Sequence, residues 1–436
     1  MAGALAAPRG TSWGRLPAPA QTLRPLSHRF ESLPAGDGTL LAYGMGRSYG
    51  DVPRNDGGTL LATRGLDRFI AFDEGSGILD VEAGVLLSEL CDFALPRGWF
   101  APVLPGTAFV TVGGAIANDV HGKNHHRAGS FGAHVLEFEL LRSDRGALRC
   151  APDENAELFG ASIGGLGLTG LIRRARLQLQ RVPGPWLAGD AIRFGHLDEF
   201  FSLARESDAK FEHTVAWIDC LARGAAQGRG LFQRANAVDA RAQEPAAGRL
   251  RLPLTPPFSL VNGLSVPAFN ALYYRKPGAD RRDARWHWRS FFHPLDGIRD
   301  WNRAYGPRGF YQYQCVLPEP AARDALREQL ELIARHRQGS FLAVLKMFGA
   351  ARSPGWLSFP RPGATLALDF PNRGESTLRL LDDLDAVTRA AGGAVYPAKD
   401  ARMSAAAFRQ YFPRWQEFSA RTDPRFSSSF WSRVTA

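Results

Sequence analysis

Five lysines stand against 48 arginines in this 436-residue chain, so every lysine is a compositional surprise. Three of them, Lys123, Lys346 and Lys399, fall inside glycine-, aromatic- and amide-rich runs, whereas Lys210 and Lys276 read as surface residues. An ammonium can lose its proton or bind a compact oxyanion, while a guanidinium stays a planar cation. Lys399, in Tyr396-Pro397-Ala398-Lys399-Asp400, carries that expectation most strongly. A second signal is Tyr43-Gly44-Met45-Gly46-Arg47-Ser48-Tyr49-Gly50-Asp51. Its glycines permit a sharp turn that brings backbone N–H groups against a diphosphate, with the Ser48 hydroxyl as a further donor. A third is Val112-Gly113-Gly114-Ala115-Ile116, leading into the polar cluster from Asn118 to His126. His121, His125 and His126 lack an HExxH arrangement and carboxylates at useful spacing, so no metal site is expected.

Gly165, Gly167 and Gly170 form a GxGxxG pattern. A nicotinamide-binding unit needs a strand before it, a helix after it and an acidic residue about 20 positions on. The residues that follow, Leu171 to Gln180, alternate like a strand, and the acidic residue in that region is Asp190, beyond two prolines. The Rossmann reading is rejected.

These residues need elements to hold them. Runs at 59–63, 78–83 and 135–141 have strand character, as does 171–180, and 86–95 has the period of a short amphipathic helix. Pro183 and Pro185 break the pattern and place a domain boundary there. Helices are expected near 197–207, 320–336 and 378–391, the last stopping at Gly392-Gly393, and 239–257 reads as a mobile surface loop. Two domains suit the length.

The formal charge of +10 is spread over scattered arginines, without a basic block or a nucleic-acid-binding motif, so a nucleic-acid partner is not expected. Attraction to an anionic membrane surface or a phosphorylated substrate fits better. Cys91, Cys150, Cys220 and Cys315 are far apart and read as thiols in a reducing compartment. No apolar run reaches the roughly 20 residues of a membrane span, and Met1 to Arg24 shows no signal-peptide pattern. A cytoplasmic protein, peripheral at the inner face of the membrane, is the expectation.

Together the motifs resemble the FAD-binding oxidoreductases of the vanillyl-alcohol-oxidase type, and within them the oxidase subunits of decaprenylphosphoryl-ribose epimerases. The resemblance runs from about Leu41 to Phe426. It includes Gly46 to Asp51, Leu104-Pro105-Gly106-Thr107, Gly113 to His126 and Ala128 to Gly132. Further on it takes in Phe292 to Asp296, Trp301 to Pro307, Tyr311 to Gln314, Leu345 to Gly349, Asp369-Phe370-Pro371 and Tyr396 to Arg402. It implies an α+β fold: a PCMH-type FAD-binding domain at 1–183, an inserted substrate-binding domain with an antiparallel sheet at 184–393, and a returning segment at 394–436.

By the same resemblance Gly44, Gly46, Arg47, Ser48, Tyr49, Gly50, Thr107, Gly113, Gly114, Asn118, Val120, Ile172 and Tyr396 would contact FAD. Arg47 stands where relatives often tether the flavin through histidine, which implies noncovalent FAD. Asn118 and Ala367 stand where close relatives carry cysteines, so no thiol acts there. Lys399, His121 and Tyr49 are the catalytic candidates. Lys123, Gln312, Gln314, Lys346 and Tyr305 would bind a sugar or polyprenylphosphoryl sugar. The implied reaction is hydride transfer from a secondary sugar alcohol to flavin. A separate short-chain reductase would complete an epimerisation, and a quinone-like acceptor or oxygen would take the electrons. Two alternatives stay open: an aldonolactone or polyol oxidase on this fold, and a flavin-binding protein without catalysis.

Overall fold

The computed structural model describes residues 10–17, 20–240, 250–276, 278 and 280–436. Much of the loop expected at 239–257 therefore lies outside the described residues. Its far end, Leu250–Arg251, pairs in parallel with Ile298–Arg299.

Three sheets carry the fold. The first is parallel, with Thr59–Ala62 between Thr22–Pro25 and Leu40–Tyr43. Parallel strands are covered on both faces and read as short apolar runs, as Leu60 and Leu61 do here. The second is antiparallel, in the order Phe69–Asp73, Ile78–Glu82, Leu171–Gln178, Val135–Arg142, Gly146–Cys150. The strand Leu171–Gln178 directly follows Gly170, where a Rossmann unit would place a helix. The expected amphipathic helix is Leu87–Ala94, with the Glu89 carboxylate accepting from the Leu86 N–H at 2.8 Å.

The third sheet has eight antiparallel strands. Their order is Arg281–His287, Trp186–Phe194, Gly230–Val238, His213–Ile218, Ala343–Phe348, Gly363–Pro371, Phe310–Leu317 and Ala394–Val395. Side chains alternate across a sheet, and that period divides this one by chemistry. Tyr313, Cys315, Ala343, Leu345, Leu366 and Leu368 join one apolar core with Leu326 and Leu330 of Glu319–His336 and Leu380 and Leu384 of Glu375–Ala390. The intervening residues, Gln312, Gln314, Val344, Lys346, Thr365 and Ala367, line a cavity on the opposite face.

The C-terminal residues return to the first sheet. The Leu40 N–H donates to the Arg425 carbonyl at 2.7 Å, and the Ser427 N–H donates to the Leu40 carbonyl at 3.0 Å. All four cysteines are free and buried. Among the described residues no helix is long and apolar enough to cross a membrane.

Candidate active site

A cavity of about 310 Å³ is walled by segments distant in sequence, from the parallel sheet, the loops that follow it and the eight-stranded sheet. Gly44 to Tyr49, Gly106-Thr107 and Gly113-Gly114 form one side, and the polar face of the eight-stranded sheet forms the other. The glycine loop leaves the strand Leu40–Tyr43 and turns at Gly46, whose φ of +60° strains any residue with a Cβ. A Cβ there would also lie 2.2 Å from the Tyr43 hydroxyl oxygen. Among the described residues the amides of Met45, Gly46, Arg47 and Ser48 find no protein acceptor. Consecutive free amides at a glycine turn make an anion-binding concavity. The buried Asn118 Oδ1 and Arg47 Nε also have no partner. An open row of donors beside buried unpaired polar atoms fits a large, phosphate-bearing cofactor.

On the facing wall, Lys399 Nζ stands 4.0 Å from the centroid of the buried Tyr49 ring. Burial pushes the Lys399 ammonium down to about 7; Asp369 opposes that shift and Lys346 adds to it. Asp369 is fully buried at a position paired with Gln312, and its Oδ1 accepts from Gln312 Nε2 at 2.6 Å. Its Oδ2 has no hydrogen-bond partner. Burial raises this carboxyl, while Gln312 and Lys399 hold it down. The two groups therefore draw together in proton affinity, one from above and one from below.

His121 sits among Phe348, Phe359 and Tyr396. Gln314 Nε2 donates to its Nε2 at 2.8 Å, and this assignment leaves the ring proton on Nδ1. Burial, then the positive charges nearby, hold His121 well below its ordinary value, so it is neutral. The Tyr396 hydroxyl donates to the Asn118 carbonyl at 2.7 Å, joining the returning segment to the residues after Gly113-Gly114. Lys346 Nζ lies 3.4 Å from the Gly122 carbonyl, and burial lowers it to about 8.

Most of the predicted site residues meet in this cavity: Gly44, Gly46, Arg47, Ser48, Tyr49, Thr107, Gly113, Gly114, Asn118, Val120, His121, Ile172, Gln312, Gln314, Lys346, Tyr396 and Lys399. Three lie behind its wall. Lys123 donates to the Phe291 carbonyl and faces that ring at 4.3 Å, with burial lowering it to about 7. Tyr305 is buried and stacked on Phe310 at 4.0 Å. Gly50 packs under the returning segment, where a Cβ would fall 1.6 Å from the Asp400 carbonyl oxygen. Lys210 and Lys276 are exposed. Sequence reasoning assigned no role to Asp369 or Asp296. The signal for Asp369 was a lone carboxylate in the otherwise apolar run Leu366 to Phe370. Asp296 lines the cavity, and its Oδ2 accepts from the Ala108 N–H at 2.8 Å.

A glycine loop with free amides, together with a depressed lysine and a neutral histidine, fits a phosphate-bearing cofactor beside groups that exchange protons. The family to which the chain is matched makes the class a flavin-dependent oxidoreductase acting on CH–OH groups. Comparison with known proteins supplies that match: residues 34–151 fit the family model of the FAD binding domain. The chain is 38% identical over 391 residues to decaprenylphosphoryl-β-D-ribose oxidase of Mycolicibacterium smegmatis, across 87% of this chain and 84% of that protein. An uncharacterised protein of Streptomyces coelicolor is 38% identical over 358 residues, 78% of this chain and 96% of its own. Cytokinin dehydrogenase 3 of Arabidopsis thaliana is 29% identical over 180 residues, 40% of this chain and 33% of its own. The chain belongs to the decaprenylphosphoryl-β-D-ribose oxidase family, with a PCMH-type α+β fold and FAD as its cofactor.

Proposed function

We propose that this chain oxidises the 2′-hydroxyl of a polyprenylphosphoryl ribose to the keto sugar, the first half of an epimerisation that a separate short-chain reductase completes. The observation that supports it is the polar wall: Lys399, Asp369, Gln312, Gln314, His121 and Lys346 converge on the sheet face opposite the glycine loop. Noncovalent FAD, when bound, supplies the hydride acceptor. The free amides of Met45 to Ser48 would hold its diphosphate, and Asn118 and Tyr396 would flank it near the substrate wall. Residues 1–183 and 394–436 would hold the cofactor, and 184–393 the sugar.

Lys399, neutral in a good part of the population near pH 7, takes the hydroxyl proton as the carbinol carbon gives up its hydride. Tyr49 fixes the ammonium position through its ring, and Gln312 relays the placement of Asp369. Gln314 and neutral His121 orient the remaining sugar hydroxyls. Lys346, a compact cation on the same wall, meets the donor's phosphodiester. Lys123 and Tyr305 support this wall from behind. A donor with a polyprenyl chain brings the enzyme to the inner face of a membrane, where a quinone-like acceptor is at hand.

The test is anaerobic flavin reduction, followed by absorbance, across a panel of polyprenylphosphoryl ribose, free pentoses and aldonolactones. Bleaching by the polyprenylphosphoryl donor alone is expected. Bleaching by lactones or free sugars but not by that donor would refute the assignment.

A further inference from the structure

Exposed apolar side chains are ordinary when scattered; a contiguous patch of them needs a reason. Among the described residues ten large apolar side chains are exposed, and eight of these fall in 250–272 or on the strand that pairs with it. Leu250 (69% exposed), Leu254 (76%), Phe258 (66%), Leu264 (86%) and Leu272 (73%) lead them, with Ile298 registered opposite Leu250.

The helix Ser265–Arg275 organises this surface. Its inner face is anchored, since Asn270 donates to Asp219 at 2.9 Å and Tyr273 packs edge-on against Trp217 at 4.7 Å. Leu264, Ala268 and Leu272 recur every four positions, so they share the opposite face, and all three are exposed. No polar stripe covers that face.

Charge identifies the occupant. Residues 250–276 contain no carboxylate, in a chain that has 43 Asp and Glu. Their charged residues are Arg251, Arg275 and Lys276, all exposed, and exposed Arg281 and Arg299 adjoin them. Carboxylates begin only outside this stretch, with Asp300 pairing Arg251 at 2.8 Å and Asp280 and Asp283 beside Arg281. Among the described residues Arg275 and Lys276 at the end of the helix have no carboxylate within 4 Å. An apolar face with unpaired cations at its edge matches the boundary of an anionic bilayer, with leucines among acyl chains and cations at the headgroups. Location agrees. The strand Ile298–Arg299, paired with Leu250–Arg251, leads within two residues to Trp301, which lines the cavity, as do Leu295 and Asp296.

We propose that the outer face of Ser265–Arg275, with the neighbouring Leu250 to Phe258 segment, seats the enzyme on an anionic lipid bilayer beside the cavity's rim. This deepens the peripheral-membrane reading above and rests on it. The face would let a lipid-linked sugar reach the polar wall while its chain stays in the membrane.

The test is co-sedimentation of the FAD-loaded protein with vesicles of phosphatidylcholine alone, or of equal parts phosphatidylglycerol and phosphatidylcholine. Wild type is expected to sediment with the anionic vesicles and to come off as salt rises. The double variant Leu264→Asp/Leu272→Asp should lose roughly tenfold or more in partitioning, since each leucine forfeits its burial and adds a repelled charge. Arg275→Ser/Lys276→Ser should weaken binding to anionic vesicles alone. Both variants should reduce flavin at the wild-type rate with a short-chain, water-soluble phosphoryl ribose, because neither touches the cavity. Wild-type-like vesicle binding by the leucine double variant would overturn this face and leave membrane contact standing. Absence of binding by wild type would overturn both, while the soluble donor still reports on the reaction. A wild-type dimer in solution that the leucine variant splits, without vesicle binding, would show a self-association surface instead.

Discussion

Replacing Lys399 by arginine or alanine separates charge from proton chemistry at the centre of the cavity. Arginine keeps the cation but cannot give up its proton, and alanine removes both. With the lysine lowered to about 7 by burial, roughly half is neutral at pH 7 and about a tenth at pH 6. Flavin reduction by wild type should therefore rise about tenfold from pH 6 to pH 8 and then level off. A positioned base contributes roughly 10²–10⁴-fold, or about 3–5 kcal/mol of barrier. Both variants should keep FAD, lose that factor in the reduction rate and lose the pH-dependent rise, with donor affinity changing much less. Asp369→Asn gives an independent check of sign. Its charge raises Lys399, so removing it should move the midpoint of the rise to lower pH. The assay is stopped-flow reduction under anaerobic conditions. A Lys399→Arg protein that reduces its flavin at near the wild-type rate would refute the reasoning, and neutral His121 would be the next base to test.

Acid precipitation of the purified holoprotein should release all flavin to the supernatant, because Arg47 cannot form the histidine-type tether; colour retained on the pellet would contradict noncovalent binding. Gly50→Ala should destabilise the protein by about 3 kcal/mol or more in urea unfolding, because its Cβ would fall 1.6 Å from the Asp400 carbonyl oxygen. Gly106→Ala, where a Cβ meets nothing within 4 Å, should change stability little, and equal losses at both glycines would defeat the close-approach argument.

Periodicity made part of this architecture legible and burial hid the rest. The half-buried strand Leu171–Gln178 alternates visibly, and the helices Leu197–Asp208, Glu319–His336 and Glu375–Ala390 show apolar stripes. Gly363–Pro371 is buried on both faces at nearly every position, so it has no polar alternation to read. Trp186–Phe194 is interrupted at Gly189-Asp190, where the register slips beside Ala191 and a Cβ on Gly189 would lie 1.9 Å from the Arg234 carbonyl oxygen. That interruption resembles a turn in sequence and is a bulge in space. At the site, the glycine loop and Lys399 were readable because their residue types are unusual. Asp369 was not, because its importance comes from its partner across the strand pair, Gln312.

The arginines explain why the lysines stand out. Arg229, Arg234, Arg402 and Arg433 each enter ion pairs with carboxylates of other segments. A planar fork of donors suits such bidentate work. Among the described residues none of Lys123, Lys346 and Lys399 enters an ion pair within 4 Å. Two of them line the cavity, and the third meets a carbonyl and a ring just behind it. Each is depressed first by burial, and Lys346 lowers the other two further. A buried cation without a counter-ion is costly to keep charged, so the fold holds these groups where losing or sharing a proton is easy. In a chain that otherwise builds with arginine, three of the five lysines are buried at or just behind the cavity, where a cation that can give up its proton is less costly than one that cannot.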